Sequence, residues 1–204
     1  VEREIALIAG LPGNGKNTLG DNLVTALASR RTVDHIAAGD VVRSIADYTT
    51  ASPHADRITD HLNSPRALLP LPDAIIGDVI RSELEMRPDV SLTFLNGFPR
   101  RKSQVDIIYH LAKACERTLL GVIIVHTDDS EVVIERLMKR PPDTHGPVLT
   151  REMAVGRLNQ HKRLLDEMLF ELACRKMKME FVDTAQSKEE ATSAGLDALD
   201  RLLN

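Results

Sequence analysis

Five short apolar runs punctuate the chain, at residues 5–9, 33–37, 92–96, 120–126 and 179–182. Each is of strand length and rich in β-branched residues. Between them apolar residues recur every three or four positions, the spacing of a helix with one buried face. That spacing predicts helices over 19–29, 41–48, 73–86, 103–115, 129–140, 152–174 and 188–203, with a weaker one over 55–62. Pro72 and Pro88 bracket the helix over 73–86, and Ser103 and Asp129 are good N-caps for the two that follow. Buried strands that alternate with helices make a parallel sheet covered on both faces. The expected fold class is α/β, a three-layer sandwich with a five-stranded parallel sheet, whose ligands sit at the carboxyl ends of the strands.

Two segments break this rhythm. Residues 49–72 hold Pro53, Pro65, Pro70 and Pro72 and are too long for an ordinary strand-to-helix connection. Residues 141–150, PPDTHGPVLT, are irregular between two helices. Both are candidates for mobile covers over a site, and composition alone fits plain surface loops equally well. No internal repeat or low-complexity tract is present.

With 204 residues, one domain with a small insertion is expected. Hydrophobic residues make up 43% and aromatic residues only 3%, so the core must be aliphatic. The lack of aromatic platforms and a net charge of −4 argue against nucleic acid as a partner. Neither excludes a small anion held by a few focused cations. Cys115 and Cys174 are far apart and, like the seven histidines, lack metal-ligand spacing, so no structural zinc is expected. No run reaches transmembrane length, the first residues read as a strand rather than a leader, and a cytoplasmic location without membrane partners is the default.

One stretch carries chemistry on its own. Gly10-Leu11-Pro12-Gly13-Asn14-Gly15-Lys16-Asn17-Thr18 lies between the first strand and the first helix. Glycines let backbone N–H groups turn toward one anion, and the helix start adds the positive end of its dipole. Lys16 can reach terminal phosphates, and the Thr18 hydroxyl is a candidate Mg²⁺ ligand. A generic loop of this kind puts the hydroxyl directly after the lysine; here Asn17 intervenes. Arginines fall after the strand ends: Arg43 past Gly39-Asp40, and Arg100 past Asn96-Gly97-Phe98-Pro99. Arg136 and Arg140 share a helix face, and Arg157 lies beyond the irregular stretch. Singly each reads as a surface charge; together on this scaffold they suit a phosphoryl-transfer site.

The order and spacing of four segments resemble the adenylate kinase family of nucleoside monophosphate kinases. Gly10 to Thr18 matches its G-x-P-G-x-G-K-G-T. His35 to Arg43 matches its S-T-G-D-x-x-R region. Phe94 to Arg100 matches F-L-x-D-G-F-P-R, and Glu135 to Arg140 supplies the later arginine pair. The resemblance implies a P-loop NTPase sandwich. Its core would be 1–38, 73–140 and 151–204, with a helical monophosphate-binding insertion over 39–72 and a short lid over 141–150. It implies a monomer that transfers a phosphoryl group from MgATP to a monophosphate. The donor phosphates would be held by Gly13, Asn14, Gly15, Lys16, Asn17 and Thr18, with Arg136 and Arg140. The acceptor would be held by Ala38, Arg43, Leu69, Leu71, Gly97, Arg100, Gln104 and Arg157. Lys16, Arg100, Arg136, Arg140 and Arg157 would carry catalysis. Thr18 and Asn96 would serve Mg²⁺, partly through water.

The match is uneven. Asn17 replaces a glycine, Asn96 an aspartate, and Ala38 a threonine; Gly146 stands where a lid arginine is expected, with Arg151 a candidate substitute. Gln104, at the adenine-reading position, points to AMP. Ala38 resembles the uridylate/cytidylate branch. A nucleotide-binding module with weak or lost transfer, and a P-loop kinase or ATPase that acts on another small acceptor, are the remaining alternatives.

Overall fold

The computed structural model describes residues 2–64, 70–139 and 149–204. Five strands form one sheet: β1 (Glu4–Ala9), β2 (Val33–Ala37), β3 (Leu92–Asn96), β4 (Thr118–His126) and β5 (Met179–Asp183). All pairings are parallel and the order is β2-β3-β1-β4-β5. Consecutive strands that lie apart require crossovers, supplied by helices on the two faces. These are α1 (Lys16–Leu27), α2 (Ala38–Ala46), α3 (Ala55–Leu62), α4 (Asp73–Glu85), α5 (Val105–Ala114), α6 (Ser130–Met138), α7 (Arg151–Cys174) and α8 (Lys188–Leu203). The expected α/β sandwich is thus the observed one, and every predicted strand and helix is found, with ends shifted by up to three residues.

Side-chain alternation along the strands divides the core into two layers. Ile5, Leu7, Ile36, Leu95, Val122 and Ile124 face one way, packed under α2, α4, α5 and α7. Ala6, Ile8, Phe94, Ile123, Val125 and Val182 face the other, under Leu19 and Leu23 of α1 and Ala198, Leu199 and Leu202 of α8. A smaller cluster joins α6 to α7 through Val133, Leu137, Ala154 and Leu158.

The segment expected to be an insertion is anchored in the first of these layers. Val42, Ile45, Ala46, Ile58 and Leu71 are all buried in it. Leu69, Arg140 and Gly146, and residues 141–148 of the expected lid, lie outside the described residues. Among the described residues no helix is long and apolar enough to cross a membrane.

Candidate active site

The loop after β1 has the geometry its glycines predict. Gly13 has φ +91°, and a Cβ there would stand 2.9 Å from both Val133 Cγ1 and Val133 O of α6. The loop therefore packs directly on α6. Asn14, buried, donates from Nδ2 to Val125 O at 3.1 Å, and its own carbonyl accepts from Thr184 Oγ1 at 2.9 Å. These bonds tie the loop to the ends of β4 and β5. Gly15, at φ 77°, precedes α1, and no side chain caps this helix nor does an acid stand in its first turn. Every other described α-helix starts with a side-chain cap or an acid in its first turn: Asp129 caps α6, Thr150 caps α7, Ser187 and Glu190 form a complete capping box on α8, and Asp40, Asp56, Asp73 and Asp106 stand in the first turns of α2, α3, α4 and α5. The start of α1 thus keeps the uncapped amides and the dipole end from which anion sites are built.

Lys16 folds back over the loop, donating from Nζ to Gly10 O at 2.9 Å and Leu11 O at 2.8 Å. Across from it the ends of β2 and β3 deliver Arg43 and Arg100. Arg100 Nε donates to Gly97 O at 2.7 Å. Gly97, at φ +79°, leaves room for that guanidinium: a Cβ would stand 3.1 Å from Arg100 Nη2. From α7, Arg157, His161 and Leu165 follow one another at four-residue intervals and line the same space. The result is a cavity of about 390 Å³ at the carboxyl ends of β1, β2 and β3. Its polar lining comes from Lys16, Asn17, Asp40, Arg43, Asn96, Arg100, Arg157 and His161.

Crowded cations leave a signature on their own titration. Burial, then Arg157 and Arg43, push the Arg100 guanidinium down to about 10, which leaves it charged at neutral pH. Burial, then Arg100, Arg157 and Lys16, hold His161 down to about 3, so its ring is neutral. A site that disfavours positive charge at Arg100 and His161 is prepared for an anion.

The predicted residues divide accordingly. Lys16, Asn17, Arg43, Asn96, Gly97, Arg100 and Arg157 come together around the cavity. Gly13, Asn14 and Gly15 shape the loop beside it. Thr18 sits in the first turn of α1, exposed, and Ala38 opens α2, buried. Arg136 lies behind the loop and donates from Nη2 to Thr184 O at 3.1 Å, at the end of β5. Arg151 pairs with Glu131 of α6.

Leu71 is buried and lends its carbonyl to Arg101 Nη2 at 3.2 Å. Gln104, buried, is bonded at both polar ends within the protein. Its Oε1 accepts from Arg100 N at 2.7 Å, and its Nε2 donates to Asp73 Oδ1 at 2.9 Å. Burial works against the charge on Asp73, but hydrogen bonds from Ser103, Gln104 and Arg101 outweigh it and lower its pKa. Sequence reasoning missed His161, which no motif marks, although its spacing from Arg157 puts both on one helix face.

Among the described residues, no group of three or more His, Cys, Asp or Glu side chains could hold a metal ion. One carboxylate, Asp40, lines the cavity together with the amides of Asn17 and Asn96. That sparse oxygen set fits Mg²⁺ arriving with a nucleotide, since Mg²⁺ keeps phosphate and water ligands and needs few from protein.

A strand ending in a glycine-rich loop, a lysine over that loop and an uncapped helix start define a P-loop nucleotide-binding protein of the α/β class. A family model described as AAA domain matches residues 9–155. Similar proteins include three named adenylate kinase. That of Lactobacillus johnsonii is 30% identical over 136 residues, covering 66% of this chain and 57% of the relative. That of Kocuria rhizophila is 32% identical over 136 residues, covering 66% of each. That of Pseudarthrobacter chlorophenolicus is 30% identical over 140 residues, covering 68% of this chain and 67% of the relative. The chain belongs to this P-loop family as an adenylate kinase-like member. It spans little more than half the length of the Lactobacillus relatives it matches.

Proposed function

We propose that the protein catalyses reversible phosphoryl transfer from MgATP to a nucleoside monophosphate, with AMP the leading acceptor. The observation that carries this reading is the convergence of Arg43, Arg100 and Arg157 opposite Lys16 across one cavity at the strand ends. Lys16 and the amides at the start of α1 hold the donor phosphates, and Arg43 and Arg100 hold the acceptor phosphate. Arg157 bridges the two from α7. Transfer is direct and in line, and the cations stabilise charge that spreads over the migrating group's oxygens. Thr18, Asn96 and Asp40 are the residues that would hold Mg²⁺, which supplies charge neutralisation on the phosphates when bound. Much of the rate comes from positioning, because two anions that repel in water are fixed in contact here.

A pyrimidine monophosphate is the second reading. Ala38 favours it, whereas Gln104, bonded once at each polar end to Arg100 N and Asp73, keeps one N–H and one lone pair with which to read an adenine. A coupled assay of ADP formation with AMP, CMP, UMP, GMP and dTMP tests both. Turnover with AMP far above the rest supports the first reading, and a preference for CMP or UMP supports the second. Absence of turnover with all five, in protein shown to be folded, overturns the kinase proposal.

A further inference from the structure

The two asparagines that depart from the family pattern are bonded to each other. Asn17 Nδ2 donates to Asp40 Oδ2 at 2.7 Å. A carboxylate only accepts, so this bond orients Asn17 and turns its Oδ1 toward Asn96. Asn96 Nδ2 donates to that oxygen at 2.9 Å. The second hydrogen of the same nitrogen meets His35 Nε2 at 3.0 Å, which must then present a lone pair. His35 Nδ1 therefore carries the proton, and it faces Asp21 Oδ1 at 2.8 Å. Carboxylates at both ends, Asp40 and Asp21, fix the direction of every bond between them.

The fold is shaped around this chain of bonds. His35 and Asn96 sit on neighbouring parallel strands in the register that pairs Ala37 with Asn96, so both face α1. Gly20, inside α1, lies against the imidazole: a Cβ there would stand 2.6 Å from His35 Nε2. A glycine in a helix interior is otherwise unfavourable. At the other end Asp40 pairs with Arg43.

We propose that Asn17, Asn96 and His35 are a matched set of positioning residues that ties the donor loop to the acceptor-site Arg43 through Asp40. This deepens the proposed transfer reaction and rests on it. In this setting Asn96 is not a weakened aspartate. An aspartate at 96 would lose both hydrogens and face two acceptors, Asn17 Oδ1 and His35 Nε2. Nor is Asn17 an obstruction in the loop: its amide holds the carboxylate that orients Arg43. Asp40 competes with an acceptor phosphate for the Arg43 guanidinium, so a residue of the donor loop tunes how tightly the acceptor binds.

The test is a cycle of Asn17→Gly, Asn96→Asp and the double variant, read as separate KM values for acceptor and ATP. It is combined with ¹⁵N NMR of the His35 ring in the unsubstituted protein. Asn96→Asp alone is expected to raise the acceptor KM about tenfold, the scale of a buried polar pair set against itself. Because Asn96 also stands among the residues that would hold Mg²⁺, the ATP KM is expected to shift too, but by less than the acceptor KM. Adding Asn17→Gly removes one of the opposed acceptors and is expected to recover at least about threefold of the loss. His35 is expected to carry its proton on Nδ1.

Asn96→Asp that improves kcat/KM, effects of the two substitutions that simply multiply, or a proton on His35 Nε2 would each overturn the proposal. Were the folded protein to turn over no monophosphate, the kinase reading alone would fall. The His35 tautomer, and non-additivity of the same cycle in the thermal midpoint, would still decide whether the set is matched.

Discussion

Arg100 gathers more of the site's geometry than any other side chain. Its guanidinium is held by Gly97 O, its backbone N–H by Gln104, and its pKa is lowered by burial and by Arg157 and Arg43. Such a charge is unfavourable in the empty protein and rewarded only by an anion. Arg100→Ala should therefore lower kcat/KM by about a hundredfold or more, in the range seen when a transition-state cation is removed. Its thermal midpoint should not fall, because a crowded positive charge has gone. A mild kinetic effect would mean that Arg100 lies outside the reaction.

His161 gives a pH prediction with a definite sign. Its folded pKa of about 3 lies below the ordinary 6.5, so between these values the unfolded chain binds a proton that the folded chain refuses. This contribution to stability is fully present above pH 6.5 and is lost as pH falls toward 3. From pH 6.5 to 5 the loss is about 2 kcal/mol. Thermal midpoints of the ligand-free protein and of His161→Gln should converge over that range; parallel curves would contradict it. The loop lysine and the strand-end arginines were legible in the sequence because glycine and spacing mark them. His161 was not, because its role comes only from where α7 crosses the strand ends.

At the level of elements, every described α-helix except α1 starts with a side-chain cap or an acid in its first turn, and the proposed function sits at that exception. Side chains cap α6, α7 and α8, whereas α1 begins at Lys16 after a left-handed Gly15 without a cap. Hydrophobic periodicity places the start of this helix at 19, three residues late, because Lys16, Asn17 and Thr18 of its first turn stay out of the core and Leu19 is the first apolar residue buried. The same logic explains the helix predicted over 103–115. It begins as a 3-10 turn, Lys102–Gln104, where Gln104 serves Arg100 and Asp73, and becomes α5 at Val105.

Gly13→Ala is a test at this scale. Its φ of +91° and the 2.9 Å approach to Val133 leave no place for a methyl group, so the loop must lift from α6. The ATP KM should rise by about tenfold or more, since several loop amides move together. Ser187→Ala, which breaks the capping box of α8 at a residue that does not line the cavity, should cost about 1 kcal/mol of stability and change the ATP KM far less than Gly13→Ala does. Equal kinetic effects of the two substitutions would contradict the assignment of the loop.

Across the whole molecule, a chain with net charge −4 concentrates cations at one end of its sheet. The alternation of buried strands and helices made the parallel sheet legible from sequence. The strand order was not, since nothing local tells β3 to lie between β2 and β1; that order brings Arg43 and Arg100 beside Lys16. Ligand should accordingly steady the entire fold. MgATP at a hundredfold its Kd should add about 2.7 kcal/mol to unfolding stability. That gain should shrink at high salt, where exposed parts of the cation cluster are screened. A thermal midpoint that ignores MgATP would contradict binding.

The most direct measurement is a crystal structure with a bisubstrate dinucleotide, two nucleosides joined through a phosphate chain. The phosphates should run from the amides of Gly13, Asn14, Gly15 and Lys16, past Lys16 Nζ, to Arg43 and Arg100, with Arg157 and His161 against the bridging groups. A phosphate chain bound elsewhere, or one that leaves Arg100 on Gly97 O without touching it, would contradict the assignment of this cavity to phosphoryl transfer.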